Sequence, residues 1–591
     1  MATDQSTQSF GRVSRLRGQV FEALTLAASV TGILALAILL AYVSIDAFEL
    51  DAASPEWLFT YLGTLVLPYV GFCLYSIDDR AATRRILGAL VGGFLVVAVA
   101  FTAIEALVRP IPRLEWHLVG LFVVVIPVVG YVTVRASQGA VGAVGFGLVG
   151  RALGGGALGL WLFVVFVVFE PQLWLLVYTL SLLPAAGLYA LGRWRSAGLP
   201  AALALPAGVL GLVAAFLIHS RVDVYPTPLF IYGWTLALPV TLGAGVLTAR
   251  RDDRRAGGLV VAGILAVVLG GTVLLWQVGG FTGGAVLLLL VGLAVPAVTF
   301  VHRVVRDRRG LLGLALPLLL VAGVLVGTLL VDLLGMPAPD PWLDLSYVQG
   351  TPTTQVTQAR EAGLYPAIVG SVIIISLVAV LSFVLGVGTA VFLEEYTADT
   401  GVVGAITRLL QVNIANLAAV PSVVYGLLGL GLFVNLLGFG FGTAVSASLT
   451  LSLLILPITV ISAQEAIRSV PNSLRDGSYA MGATRWQTTK NVVLPEAMPG
   501  IFTGIILALG RAIGETAPLI MVGMATIAFN APNSIWSRFS AMPMMIFTWA
   551  DNPSAEFRFG VVAAGVITLL AVLVAMNATA IIIRNRYERG P

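Results

Sequence analysis

Apolar runs close to 20 residues long recur from residue 21 to residue 583, with almost no charge inside them. A chain written this way has few folds open to it. A bilayer core is crossed by about 20 helical residues, and lipid offers no hydrogen-bond partner, so each span must satisfy its own backbone N–H and C=O groups. The sequence therefore reads as an all-α polytopic membrane protein. Composition agrees, with 58% hydrophobic and only 10% charged residues over 591, a charge content that no soluble globular domain of this length carries. The formal net charge of +4 is no sign of nucleic-acid binding, because the arginines lie in short loops where they set orientation. The single cysteine, Cys73, falls inside a span, which excludes disulfides and cysteine-rich metal sites. His117, His219 and His302 lie at span ends far apart in sequence, so no metal or other cofactor is expected. Arg12, Arg15 and Arg17 precede a long apolar run that lacks a small-residue cleavage site, the pattern of an uncleaved first span.

The bias of arginine toward the cytoplasmic side threads the spans in a self-consistent way. Ten are expected near 21–44, 57–77, 86–108, 118–135, 155–170, 173–192, 199–218, 228–249, 257–277 and 283–301. Six more follow near 311–334, 366–393, 409–437, 441–463, 499–528 and 558–583, about sixteen in all. The Gly-rich stretch 138–170 around Arg151 reads either as an interfacial segment or as part of a longer span. Arg80, Arg84, Arg85, Arg193, Arg195, the run 250–255 and the stretch Arg303 to Arg309 fall inside, with acidic Asp46, Glu49, Asp51 and Glu56 outside. The polar segment 335–365 is then external, and the loop 465–498 and both termini are cytoplasmic, in a multi-pass protein of the cell membrane. The expected organisation is a tail at 1–20, a multi-span extension at 21–309, and a second membrane domain at 310–591 that carries the loop. Glu105 and Arg109 read as a snorkelling pair near the outer surface. Glu394 and Glu395 read as a solvated helix end.

Three segments carry chemistry. In the loop 465–498, Leu474 and Met481 share a helical face, Gly482 permits a sharp change of direction, and Thr484 with Gln487 has the form of a capping box. The spacing predicts a helix–Gly–helix knob that a second protein grips. In the span after it, Arg511 and Glu515 stand four residues apart and share a face. Charges at membrane depth cost about 2.5–3.5 kcal/mol each, so the pair belongs to a bundle interior or a wet pathway; a pathway role and a structural ion pair both fit. Pro421 and Ser422 break a span, which frees a carbonyl and supplies a hydroxyl where only protein or water covers them. No phosphate-binding loop of the G-x-x-x-x-G-K-[ST] type occurs anywhere, so ATP hydrolysis is not expected on this chain.

The register Asp476-Gly477-Ser478, then Gly482, then Val492-x-Leu494-Pro495 resembles the cytoplasmic E-A-A-x3-G-x9-I-x-L-P loop of importer-type ABC transporter permeases. It departs from that pattern in its opening triplet, where the acid is kept in shorter form and two small residues are changed. The strings Gly514 to Leu519 (GETAPL), Phe392 to Tyr396 (FLEEY) and Val420 to Leu427 (VPSVVYGL) are similar to the phosphate-transporter permease of the PstA type, over residues 311–591. The resemblance implies a six-helix permease core preceded by about ten additional transmembrane helices. It also implies four partners: a second permease subunit, a dimer of ATPase subunits, an external phosphate-binding protein, and phosphate as cargo. Asp476, Gly477, Ser478, Gly482, Leu494 and Pro495 would couple to the ATPase, while Arg511, Glu515, Pro421 and Ser422 would line the path. Another oxyanion, the partner-type permease, an ion-coupled secondary transporter, and a sensor fused through the first 300 residues remain open as readings.

Overall fold

The computed structural model describes residues 15–77, 129–168, 171–194, 198–219, 221–222, 224–279, 283–397, 401–524, 527–532 and 534–588, with isolated positions between 79 and 106. Its regular structure is helical throughout, with one isolated antiparallel bridge, Thr443 to Arg538, among the described residues. Thirteen helices are long and apolar enough to cross a membrane, and one bent pair adds a fourteenth. These answer fourteen of the sixteen expected spans. The spans near 86–108 and 118–135 lie outside the described residues, as do Glu105, Arg109 and His117.

The described residues pack as two compact units, one formed by residues up to Gly139 with Ala322–Pro341, the other by Ala140–Val321 with Trp342–Pro591. In the first, α1 (Arg15–Phe48) and α2 (Glu56–Tyr75) are the long helices. Cys73 is buried there, and the Tyr69 hydroxyl is 2.6 Å from Thr133 Oγ1. In the second, the helices are α3 (Ala140–Val168), α4 (Pro171–Gly192), α5 (Gly198–His219), α6 (Pro228–Arg251), α7 (Arg254–Gly279) and α8 (Gly283–Asp307). Next come α9 (Leu311–Leu334), whose second half belongs to the first unit, α10 (Tyr365–Tyr396), α11 (Gly401–Ala418), α12 (Ser422–Leu436) and α13 (Ala444–Arg468). The chain ends with α14 (Asn472–Ala480), α15 (Arg485–Ala512), α16 (Ala517–Met521), α17 (Met542–Ala550) and α18 (Phe557–Ile581). The uncertain stretch 138–170 is one 29-residue helix, α3, so Arg151 lies within a span.

Proline shapes several helices. It lacks an N–H and its ring crowds the carbonyl four residues earlier, and the helix answers by widening for one π-turn. Four such turns, Leu62–Val66, Val177–Leu182, Gly233–Ala237 and Thr489–Val493, end two residues before Pro68, Pro184, Pro239 and Pro495.

Packing follows the logic of lipid, where large apolar side chains gain nothing by turning inward and small residues let backbones approach. Leu205, Leu210 and Leu217 of α5 are exposed, while α3 and α8 meet through glycine. A methyl group built on Gly155 would lie 2.2 Å from the Gly292 carbonyl oxygen, and one on Gly292 would lie 2.4 Å from that of Gly155. Among the thirteen unbroken spans of the described residues, α13 is the most enclosed, with 67% of its apolar stretch buried against 44% or less for the others. Its buried Thr450, Ser452 and Thr459 donate their hydroxyl protons to carbonyls one turn back, at 2.7, 2.7 and 3.0 Å. That leaves a smooth helix against which α10, α12 and α15 close through Gly386, Gly429 and Gly504, whose built methyls would strike Thr459, Thr450 and Ser462. At the far end of α10, residues 342–364 fold onto α17 and α18: Tyr347 donates to the Val561 carbonyl at 3.0 Å, Trp549 Nε1 to that of Thr353 at 3.1 Å, and Arg360 stacks 3.7 Å over Trp342.

A Gly155→Leu variant should lose about 1–3 kcal/mol by overpacking and melt earlier in a detergent thermal-shift assay. Gly156→Leu should leave the melting temperature unchanged, because a methyl there meets nothing within 4 Å.

Candidate functional site

The loop after α13 folds as its spacing predicts. Helix α14 ends in a left-handed residue, Gly482 (φ +83°), which glycine alone adopts without a steric cost. The Ala483 N–H reaches the Ser478 carbonyl at 3.2 Å and the Gly482 N–H that of Tyr479 at 2.9 Å, a Schellman closure. Thr484 then starts α15 with a complete capping box, its hydroxyl accepting from Gln487 N while Gln487 Oε1 accepts from Thr484 N. Buried Ser478 is 2.8 Å from Thr488 Oγ1 and joins the two arms. Asp476 and Gly477 stay exposed on the outer side of α14. Leu474, Met481 and Trp486 are exposed around the bend, Met481 at 85%. Leu494 packs against the core cluster and Pro495 is exposed.

The base of this knob is held by Glu394 and Glu395, which are not a solvated helix end. Glu394 accepts from Arg468 Nε at 2.8 Å, Arg468 Nη2 at 2.7 Å and Gln464 Nε2 at 2.7 Å. Glu395, only 6% exposed, pairs with Arg475 Nη2 at 3.1 Å. Arg475 also donates to the Ile467 and Val470 carbonyls at 2.9 and 2.6 Å, so a cation closes the C-terminal end of α13. Arg485, the first residue of α15, lies 5.8 Å from the Tyr396 ring centre. Three consecutive residues of α10 thus grip α13, α14 and α15. The signal in the sequence was two adjacent carboxylates at the inner end of one span, with arginines flanking the loop of another.

At the other end of α15, the span expected to run to 528 stops at Ala512. Gly514 and Pro518 end the helix, and a turn leads into α16. Arg511 Nε and Glu515 Oε1 are 3.3 Å apart across this turn, with side-chain exposures of 45% and 19%. The span expected at 409–437 is likewise two helices, α11 and α12, bent by 108°. Pro421 takes an extended conformation (φ −57°, ψ 140°) at this corner and Ser422 begins α12. The two breaks meet. Gly426 of α12 abuts α16 so closely that a methyl on it would lie 2.7 Å from Met521 Cβ and 2.9 Å from Pro518 Cα. Tyr425, beside Gly426, donates to the Leu417 carbonyl at 2.8 Å. The loop residues and the break residues are therefore two groups, separated along α15 by about 25 Å from Leu494 to Arg511. Among the described residues, no cluster of His, Cys, Asp or Glu is arranged to hold a metal.

A family model described as binding-protein-dependent transport system inner membrane component matches residues 386–586. Phosphate transport system permease protein PstA 1 of Mycobacterium tuberculosis is 36% identical over 222 residues, covering 38% of this chain and 70% of that protein. The chain belongs to the PstA-type permease family. PstA of Mycobacterium leprae is 37% identical over 217 residues, or 36% of this chain and 68% of that protein. The probable ABC transporter permease YqgI of Bacillus subtilis is 36% identical over 196 residues, or 33% and 64%. Among solved structures, an inward-facing form of the MetNI methionine ABC transporter matches 38% of this chain and 96% of that chain at 19% identity and TM-score 0.30, too low to bear on the fold. The matched range of this PstA-type permease begins within α10 and takes in the grip, the knob and both breaks.

Replacing Glu395 with Gln removes the partner of Arg475, a charged hydrogen bond worth about 1.5–3 kcal/mol. Hydrogen–deuterium exchange across residues 472–488 should quicken in that variant. It should not in Glu496→Gln, where an exposed carboxylate without an ion pair among the described residues is lost.

Proposed function

We propose that this permease is the subunit of an ATP-driven phosphate importer that forms the membrane path and takes its power stroke through the knob around Gly482. The reading rests on one arrangement: a rigid knob with exposed apolar residues begins the same helix, α15, that ends at the Arg511–Glu515 break. The partners are a second permease, an ATPase dimer and an external phosphate-binding protein, and ATP chemistry stays on the ATPase chains. The names borne by relatives at 36–37% identity support phosphate as the cargo. Movement of the knob would tilt α15 and open the gap between α12 and α16 to an anion. Arg511 touches Glu515 through one contact rather than a two-pronged lock, which leaves guanidinium donors for an oxyanion. Glu515 beside it favours an anion that still carries a proton, as phosphate does at neutral pH and sulfate does not. Residues 21–309 are an extension of the 310–591 permease domain, with both termini on the side that faces ATP.

In proteoliposomes with its partners, a Gly482→Val variant should retain ATP hydrolysis but lose most phosphate uptake, because a β-branched residue resists the left-handed conformation. Unchanged uptake per ATP would remove the coupling role. Arg511→Gln should lower phosphate flux at least tenfold while subunits still co-purify; equal loss of flux and assembly would mark the pair as structural. Glu515→Gln should let sulfate compete where it does not in the parent protein. Uptake by the chain alone, driven by an ion gradient, would favour a secondary transporter.

A further inference from the structure

Arg151 is a charge placed within the span Ala140–Gly159, where an unsatisfied cation is costly. The structure builds a seat for it. Its guanidinium stacks 3.8 Å over the Phe300 ring of α8, and Nη1 donates to the Gly147 carbonyl at 2.8 Å. Gly147 clears the space: a methyl there would lie 3.0 Å from Arg151 Nη1 and 3.1 Å from Phe300 Cζ. Arg303 follows Phe300 by three residues, one turn further along α8. Its Nε reaches the Thr299 carbonyl at 3.4 Å. Both arginines are exposed, and among the described residues no carboxylate is in ion-pair contact with either. Asp252 at this end of the bundle is already held by Arg306 and His302. Arg306 holds the Asp252 carboxyl below the usual carboxylate range, chiefly by its hydrogen bond.

Two exposed cations, one stacked on Phe300 and one a single turn beyond that residue on α8, with no carboxylate in ion-pair contact among the described residues, are half of an anion site. Arginine presents several donors in a planar fork that matches a phosphate, and Arg151 gives one of its five to Gly147. Arg303 lies about 6 Å from the end of α8, at the end that also carries Arg306, Arg308 and Arg309. Basic pockets between membrane helices on the cytoplasmic side take anionic headgroups. We infer that Arg151 and Arg303, in the groove where α3 and α8 pack, bind the phosphate of an anionic lipid headgroup.

The probe is phosphatidylglycerol, offered to the full chain in nanodiscs of otherwise zwitterionic phosphatidylcholine and read by native mass spectrometry. The double variant Arg151→Gln/Arg303→Gln should retain the anionic lipid about tenfold less well, whereas Arg151→Lys/Arg303→Lys should retain most of it. Equal retention by the Gln variant and the parent overturns the site. A separate arm offers inorganic phosphate in purely zwitterionic discs. Binding of that ion which requires both arginines, without retention of phosphatidylglycerol, assigns the groove to the free ion and overturns the lipid assignment. Should the Gln variant not fold, a photoactivatable phosphatidylglycerol on the parent protein decides. Labels within 147–151 and 300–303 support the proposal, and labels confined to other helices sink it.

Discussion

Backbones of the permease core approach one another only where side chains are small. In lipid there is no apolar force to bring helices together, since a leucine is as well solvated by acyl chains as by another leucine. Helix α13 answers with a run of Ser, Thr and Ala whose hydroxyls are turned back onto their own carbonyls. Glycines of α10, α12 and α15 close on that surface, where a single methyl group would collide. The same device joins α3 to α8. Close contact rather than bulk therefore fixes the arrangement of spans, and every element of the candidate site hangs from a helix held this way.

From that packed core, α15 runs from the knob to the Arg511–Glu515 break. Its first turn is capped by Thr484 and Gln487 and its last turn reaches Arg511, with a π-turn before Pro495 taking up the local misfit. Its near end is gripped by Glu394, Glu395 and Tyr396, which face Arg468, Arg475 and Arg485. The pairs differ in kind. Arg468 and Glu394 form a two-pronged bond at a partly exposed surface, whereas Arg475 and Glu395 are largely enclosed and share their donors with the end of α13. An enclosed charge that loses its partner has no water to turn to, so the second pair resists separation more strongly.

Much of the knob was legible because its chemistry is local. Gly482 and the Thr484–Gln487 box need only near neighbours to act, and both appear in the structure as the spacing required. Span positions were legible for the same reason, since length and hydropathy are properties of one helix at a time. The ends of spans were less so. The span expected at 499–528 stops at Ala512, and the break at Pro421 and Ser422 turns the chain through 108°. Glu394 and Glu395 carry no local sign of their role, because their partners lie 74 and 80 residues away.

The sequence by itself determined a helical membrane protein, which stretches of the described chain are long and apolar enough to span a membrane, and the bend in its loop. Each follows from hydrogen bonding, hydropathy or backbone freedom within a few residues. Tertiary structure decided which glycine meets which hydroxyl, that the breaks at Pro421 and Pro518 meet across Gly426, and that α3 packs beside α10 and α18. Those facts depend on distances between segments far apart in the chain, and local pattern carries no record of them until packing brings the surfaces together.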